Sequence, residues 1–121
     1  LYSRTRDLLD DFALALARAD CVIVTGIYAA REKPIASVTP ALLAGRLARE
    51  VPDKTVLVEP DKLRVAEAVR AIARPGDILL VLGAGDIREA GEDFLRPPAG
   101  PGEHRTTGQD AYDNGSGGNR V

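Results

Sequence analysis

A tyrosine and three charged side chains follow the most apolar short segment of this chain. The segment is Cys21–Thr25, and the residues after it include Tyr28, Arg31, Glu32 and Lys33. A run of β-branched residues without polar alternation predicts a strand buried on both faces, as in a parallel sheet covered by helices. Ligands of such sheets bind beyond the carboxyl ends of the strands, so this loop is the first candidate for binding chemistry. The alternative is a polar loop whose tyrosine covers the sheet edge.

A glycine turn forms the second candidate site. Gly83, Ala84, Gly85 and Asp86 follow a second apolar run and precede a helical pattern. Glycines let backbone N–H groups approach an anion at the start of a helix, as in dinucleotide-binding turns. Arg88 stands where the third glycine of that pattern would fall, so a tight strand-to-helix turn accounts for these residues as well as a ligand-facing one does.

Basic residues at the start of the chain form a third candidate. Arg4 and Arg6 lie where the first helical pattern begins, and a guanidinium there could bind a carboxylate or phosphate, although solvent exposure is the default. No spacing typical of metal ligands, no phosphate-binding loop and no nucleophile paired with a base occurs in the sequence. The chain therefore offers candidate binding residues and no complete catalytic site.

Alternating helical and strand patterns must position these residues. Helices are predicted over 3–18, 40–50, 61–73 and from 87 to about 95, and strands over 21–25, 54–59 and 77–82. Such alternation calls for right-handed crossovers and a mostly parallel sheet between two helix layers, so the predicted fold class is α/β. More detailed expectations are a buried Cys21, a cap at Ser3 or Thr5, a cap at Thr39 followed by Pro40, and a cap at Asp61. We also expect a central strand over 77–82, a capping box of Asp86 and Glu89, and inward-facing Leu63, Ala66, Val69, Ile72 and Ala73.

The composition describes one ordinary domain. The chain has 121 residues, 45% of them hydrophobic and 28% charged, with a formal net charge of -2, and nothing in that balance favours binding to nucleic acid. The single cysteine fits a cytoplasmic protein, and no apolar run approaches the roughly 20 residues of a membrane span. We assign the domain to residues 1–95 and expect residues 96–121, rich in proline and glycine and containing His104, to be a disordered tail. The chain lacks methionine, so we expect a piece of a longer protein.

Three motifs together resemble the C-terminal domain of the Mur ligases, and in particular of those that add L-alanine to UDP-N-acetylmuramate. They are Tyr-Ser-Arg-Thr-Arg-Asp-Leu at 2–8, Ile-Tyr-Ala-Ala-Arg-Glu-Lys-Pro-Ile at 27–35, and Pro-Gly-Asp at 75–77 followed by Leu-Gly-Ala-Gly-Asp-Ile at 82–87. Each motif is weak alone. Their order and spacing make the resemblance specific over residues 1–95.

The resemblance implies an ATP-dependent, Mg²⁺-requiring ligase of peptidoglycan synthesis. In that reaction the muramate carboxylate is phosphorylated, and the acyl phosphate is attacked by the amine of L-alanine. The C-terminal domain would be Rossmann-like and would close over ATP, and this chain would lack its first strand. The N-terminal and central domains, missing here, would bind the nucleotide sugar, most of the ATP and the metal.

The same resemblance implies residue roles. Arg4 would bind the carboxylate of the incoming amino acid, and Tyr28 would form a wall of that pocket, with Arg31 and Glu32 of the same loop as further substrate-binding candidates. The turn from Gly83 to Asp86 would shape the crevice. Gly26 departs from the family pattern, because an acidic residue is common at that position.

Three alternatives stay open at this point. The enzyme could be a related ligase that attaches recovered peptides to the same sugar nucleotide. The chain could instead be a stand-alone α/β module that binds a small anion or nucleotide at the glycine turn. Finally, it could be a degraded or frame-shifted piece of a gene.

Overall fold

The structure is a computed structural model that describes residues 1–97. Its elements are, in order, α1 (Tyr2–Asp7), α2 (Leu9–Leu16), β1 (Cys21–Thr25), α3 (Pro40–Glu50), β2 (Thr55–Glu59), α4 (Lys62–Ile72) and α5 (Ile87–Leu95). The expectations about the tail from residue 98 onward, including His104, lie outside the described residues. Within 1–97, no helix has the length and apolarity required to cross a membrane.

Two helices begin at the caps that the sequence predicts. The Thr39 hydroxyl accepts a hydrogen bond from the Leu42 N–H at 3.2 Å, and Pro40 occupies the first turn of α3, where no N–H is required. The Asp61 carboxylate accepts from the Leu63 N–H at 3.0 Å and so caps α4. These local signals place α4 directly after β2, with its first turn at the carboxyl end of that strand.

The first predicted helix is divided. Leu8 has φ -114° and ψ 24°, which separates α1 from α2, although the Phe12 N–H still donates to the Leu8 carbonyl at 2.9 Å. The predicted caps are wrong, since the Thr5 hydroxyl donates to the Leu1 carbonyl at 2.9 Å and no side chain of its own segment caps α1. The first backbone N–H groups of α1 therefore need a hydrogen-bond acceptor from elsewhere in the chain.

The sheet is parallel, with helices packed on its two faces. β1 and β2 pair in register, with Val22 opposite Val56. Helices α3 and α4 each contact both strands, and α2 packs on α3 while α5 packs on α4. Leu47 of α3 is fully buried, and Val65 and Val69 of α4 form a core cluster against which Ile23 packs. This three-layer arrangement confirms the predicted α/β fold.

The apolar segment 77–82 is not a strand in the structure, so the prediction of a central third strand is wrong. The sheet of residues 1–97 contains only β1 and β2, and Ile78 and Leu80 are 93% and 72% exposed. Segment 77–82 and β1 instead line a cleft of about 1230 Å³. An apolar sequence favours a strand, but a strand also requires a neighbour with free N–H and C=O groups at pairing distance. No such neighbour lies between segment 77–82 and β1.

Two burial predictions are also wrong. Cys21 is exposed, because it begins β1 on the side of the open cleft. Leu63 is 74% exposed, whereas Val65, Ala66 and Val69 are buried. At 100° per residue, Leu63 lies about 110° from the centre of that buried stripe, so it projects away from the sheet.

A crevice at the carboxyl edge of the sheet

A crevice lies where β1 ends, between the loop 26–34 and the glycine turn 83–86. It has a volume of about 350 Å³ and is lined by Tyr28, Gly85, Asp86, Arg88 and Glu89. The loop follows β1 directly, and the turn follows segment 77–82. The structure therefore brings the tyrosine and the glycine turn, which lie far apart in the sequence, to one edge of the sheet.

Gly85 forms the closest contact of this crevice. Its φ is 73°, in the left-handed region that favours glycine, and a Cβ added there would lie 2.6 Å from Tyr28 Cδ2. The Tyr28 ring thus packs directly on the backbone of the turn, while 47% of the residue stays exposed. Glycine at this position both allows the left-handed backbone conformation and leaves room for the Tyr28 ring.

Lys62 joins the glycine turn to the start of α4. Its ammonium donates to the Asp86 carboxylate and lies 3.6 Å from Glu89 Oε2. This bond lowers the pKa of Asp86 and raises the pKa of Lys62. The predicted capping box is wrong, because Asp86 makes no side-chain cap of α5. Its carboxylate is paired with Lys62 instead.

Topology could have identified Lys62 from the sequence. A residue in the first turn of a helix that follows a parallel strand lies at the carboxyl edge of the sheet, where the predicted crevice is. Sequence motifs gave no such signal for Lys62. Arg88 and Glu89, in the first turn of α5, also line the crevice, whereas the local sequence pattern predicts only a turn and a cap there.

Glu32 connects the same loop to α1. One of its carboxylate oxygens accepts from the Ser3 N–H at 3.0 Å, and the other accepts from the Ser3 hydroxyl. These two bonds lower the pKa of Glu32. The carboxylate thus occupies the helix start that lacks a cap of its own, where the positive end of the helix dipole also favours it.

The arginines named from the sequence stand apart from the crevice. Arg4 and Arg31 are both exposed, and neither lines the crevice beside Tyr28. Within residues 1–97 their side chains make no hydrogen bond or ion pair. Arg4 lies on α1, one residue from the Ser3 contact with Glu32, so α1 sets its position relative to the loop.

Gly26, the departure from the expected pattern, lies at a tight contact between two loops. A Cβ added to Gly26 would lie 2.7 Å from the Pro60 carbonyl oxygen. Real side chains do not approach a backbone oxygen so closely, and the neighbouring strand end would have to shift. The carboxyl ends of β1 and β2 pack together here in a way that a longer side chain would prevent.

Metal-binding residues do not cluster in the described part of the chain. Among residues 1–97, no group of three or more His, Cys, Asp or Glu side chains is arranged to hold a metal ion. Asp86 and Glu89 approach one another, but they share the Lys62 ammonium.

A parallel sheet between helix layers, with a crevice at its carboxyl edge, defines a Rossmann-like α/β domain. The family model described as "Mur ligase, glutamate ligase domain" matches residues 1–85. The chain belongs to the Mur ligase family. The match includes α1, the loop 26–34 and the first part of the glycine turn.

Three similar curated proteins share one enzyme name. A UDP-N-acetylmuramate--L-alanine ligase of Thermobifida fusca is 47% identical over 91 residues, which cover 75% of this chain and 18% of the relative. Ligases of the same name from Salinibacter ruber and an Anaeromyxobacter species are 40% and 47% identical over 95 and 94 residues, covering 78% of this chain and 20% of each relative. The chain thus spans about a fifth of the length of these relatives.

Proposed function

We propose that this chain is the C-terminal domain of a ligase that joins L-alanine to UDP-N-acetylmuramate in the bacterial cytoplasm. The observation that carries the proposal is the contact of Tyr28 with Gly85, which unites two of the three family motifs in one crevice. The names of the relatives, at 40–47% identity, favour L-alanine as the amino acid.

In the proposed reaction the muramate carboxylate is activated as an acyl phosphate, and the amine of L-alanine attacks it. This chain would supply part of the amino-acid site. The planar guanidinium of Arg4 can donate two parallel hydrogen bonds to a carboxylate, which would hold the amino acid by the group that does not react. Tyr28 would form an amphipathic wall, with a ring against the small side chain and a hydroxyl toward water.

ATP and Mg²⁺ would be bound mainly by domains outside this sequence. Among residues 1–97, no group of three or more His, Cys, Asp or Glu side chains is arranged to hold the cation. The part played by this chain would be to close over the bound nucleotide with its carboxyl edge. The exposed position of Arg4 fits a side chain whose partner arrives when domains close.

We also propose that a strand from the preceding part of the protein fills the cleft between β1 and segment 77–82. Leu1 lines this cleft, and Ser3 contacts the loop after β1, so the chain enters α1 from the carboxyl edge of the sheet. In a right-handed βαβ unit, the strand before the helix lies parallel to the strand after it. Both strands therefore end at the carboxyl edge of the sheet. Such a strand would give segment 77–82 the hydrogen-bonding neighbour that it lacks.

The test of the amino-acid site is Arg4→Ala in the full-length enzyme. We expect KM for L-alanine to rise about tenfold or more, as expected when a charge-assisted hydrogen bond is lost, with KM for ATP nearly unchanged. Arg18→Ala is the matched control, because Arg18 is exposed and follows α2, next to the start of β1. Equal effects of Arg4→Ala on both constants would reject the assignment.

A second measurement separates the ligase from a stand-alone binding module. Titration calorimetry of this chain with ATP should show little binding, since most of the nucleotide site lies in other domains. Tight binding of ATP by the chain alone would favour the small-anion module instead.

A further inference from the structure

We infer that Glu32 is a positioning residue that fixes the loop 26–34 to the start of α1, and thereby sets Tyr28 and Arg4 in relation to one another. The inference rests on the proposed function, because Tyr28 and Arg4 matter as a pair only if both contact the same amino acid. In this inference Glu32 binds Ser3 of its own chain and does not bind the substrate.

The first support is the geometry of the carboxylate. Both oxygens of Glu32 are directed to Ser3, one to the backbone N–H at 3.0 Å and the other to the hydroxyl. The two residues are 29 positions apart in the sequence. The first N–H groups of any helix lack partners within it, and α1 has no side-chain cap from its own segment. Glu32 supplies that cap from the loop.

The second support is that contacts hold the loop at both ends of segment 28–32. Tyr28 packs on Gly85 at one end, and Glu32 binds Ser3 four residues later. Between them the chain turns, with the Glu32 N–H donating to the Ala29 carbonyl at 2.9 Å and Ala30 at φ 52°. A left-handed alanine is unfavourable in isolation and persists where surrounding contacts hold it. Loss of the Glu32 contact would therefore release the turn and the tyrosine beside it.

The third support is the position of Arg4 directly after Ser3. A shift of the helix start relative to the loop would move the Arg4 guanidinium, which nothing else within residues 1–97 holds. Misplacement of a binding group by about 1 Å weakens recognition strongly. The Glu32 contact is thus placed to couple the two sides of the proposed amino-acid site.

The experiment uses the full-length enzyme and measures kcat and both Michaelis constants for four variants. These are Glu32→Ala, Glu32→Gln, Ser3→Ala and the double variant Ser3→Ala with Glu32→Ala. Glu67→Ala on α4 is the matched control, because Glu67 is exposed and makes no hydrogen bond or ion pair within residues 1–97. The wild-type rate is measured first, because absence of ligation by the wild type would reject the proposed function. The comparison of the variants with an active wild type then tests the role of Glu32.

We expect Glu32→Ala to raise KM for L-alanine about tenfold, with KM for ATP changed less than twofold. Glu32→Gln keeps one acceptor for the Ser3 N–H, and Ser3→Ala keeps the N–H itself, so each should raise KM for L-alanine by a few fold only. The double variant should be no worse than Glu32→Ala, because both changes remove the same contact. Glu67→Ala should match the wild type.

Two results would overturn the inference. If Ser3→Ala leaves KM for L-alanine unchanged while Glu32→Ala and Glu32→Gln raise it equally, the carboxylate binds the substrate directly. If Glu32→Ala lowers only the active fraction and leaves both Michaelis constants unchanged, the contact supports folding alone. The KM ratio separates these cases because it does not depend on the amount of folded enzyme.

Discussion

Segment 77–82 allows a direct test of the proposed strand in the cleft, through the substitution Leu80→Ala. In the described structure Leu80 lines the cleft and is 72% exposed. If a strand from the preceding part of the protein fills the cleft, Leu80 becomes buried there. The same substitution should then have a small effect in this chain and a large one in a protein that carries the preceding segment.

The magnitude follows from burial. A leucine that keeps most of its exposure loses little when truncated, so in this chain we expect Leu80→Ala to lower the free energy of unfolding by less than about 0.5 kcal/mol. A buried Leu→Ala change costs about 2–5 kcal/mol, and the lower half of that range applies at a sheet surface covered by one strand. The expected difference between the two proteins is therefore about 2 kcal/mol.

Leu63→Ala is the matched control for this experiment. Leu63 is 74% exposed, almost the same as Leu80, but it lies on α4 and does not line the cleft. Urea unfolding would be followed in this chain and in a version extended by about ten upstream residues, enough for one strand and its entry. If Leu80→Ala and Leu63→Ala cost the same in the extended protein, no strand covers segment 77–82, and the proposal is refuted.

The remaining predictions concern the crevice and its supports. Gly26→Ala should lower the free energy of unfolding by about 1–3 kcal/mol, because the new methyl group would overlap the Pro60 carbonyl, while Gly45→Ala, in open space within α3, should raise it by up to about 1 kcal/mol. Thermal melts of the two variants should therefore shift in opposite directions, and parallel shifts would contradict the Gly26 contact. Asp86→Asn should be less stable than wild type at pH 7, since pairing with Lys62 lowers the pKa of Asp86 from its ordinary value of 3.8 and stabilises the charged form. That difference should vanish as the pH falls below 3.8 through the lowered pKa, and it should shrink in high salt; a difference that persists in acid would exclude the ion pair as its cause.

The fold was largely predictable because its signals are local. Thr39-Pro40 and Asp61 set the starts of α3 and α4 through hydrogen bonds to residues two or three positions away. The β-branched run of β1 likewise specifies an extended segment without reference to the rest of the chain. Such features depend on neighbours in sequence, and the structure confirms them.

The candidate site was predictable only in part. The predicted topology places its two motifs at one sheet edge, and Tyr28 and the glycine turn do meet there, although segment 77–82 forms no strand. The partners of Asp86 and Glu32 could not be predicted, because Lys62 and Ser3 lie 24 and 29 positions away. Local pattern assigned Asp86 to a cap of α5, whereas a cation from α4 competes successfully for its carboxylate.

Local patterns of side chains were sufficient to predict α3, α4, β1 and β2, and they carry the motifs of the family. Pairing and burial of the segments depend on the tertiary structure. Segment 77–82 has the composition of a buried strand and is left exposed, because pairing depends on a neighbour that the described chain does not place there. At Gly26, a departure from the family pattern in sequence, the Pro60 carbonyl lies where it would clash with a Cβ, a contact that only the folded chain creates.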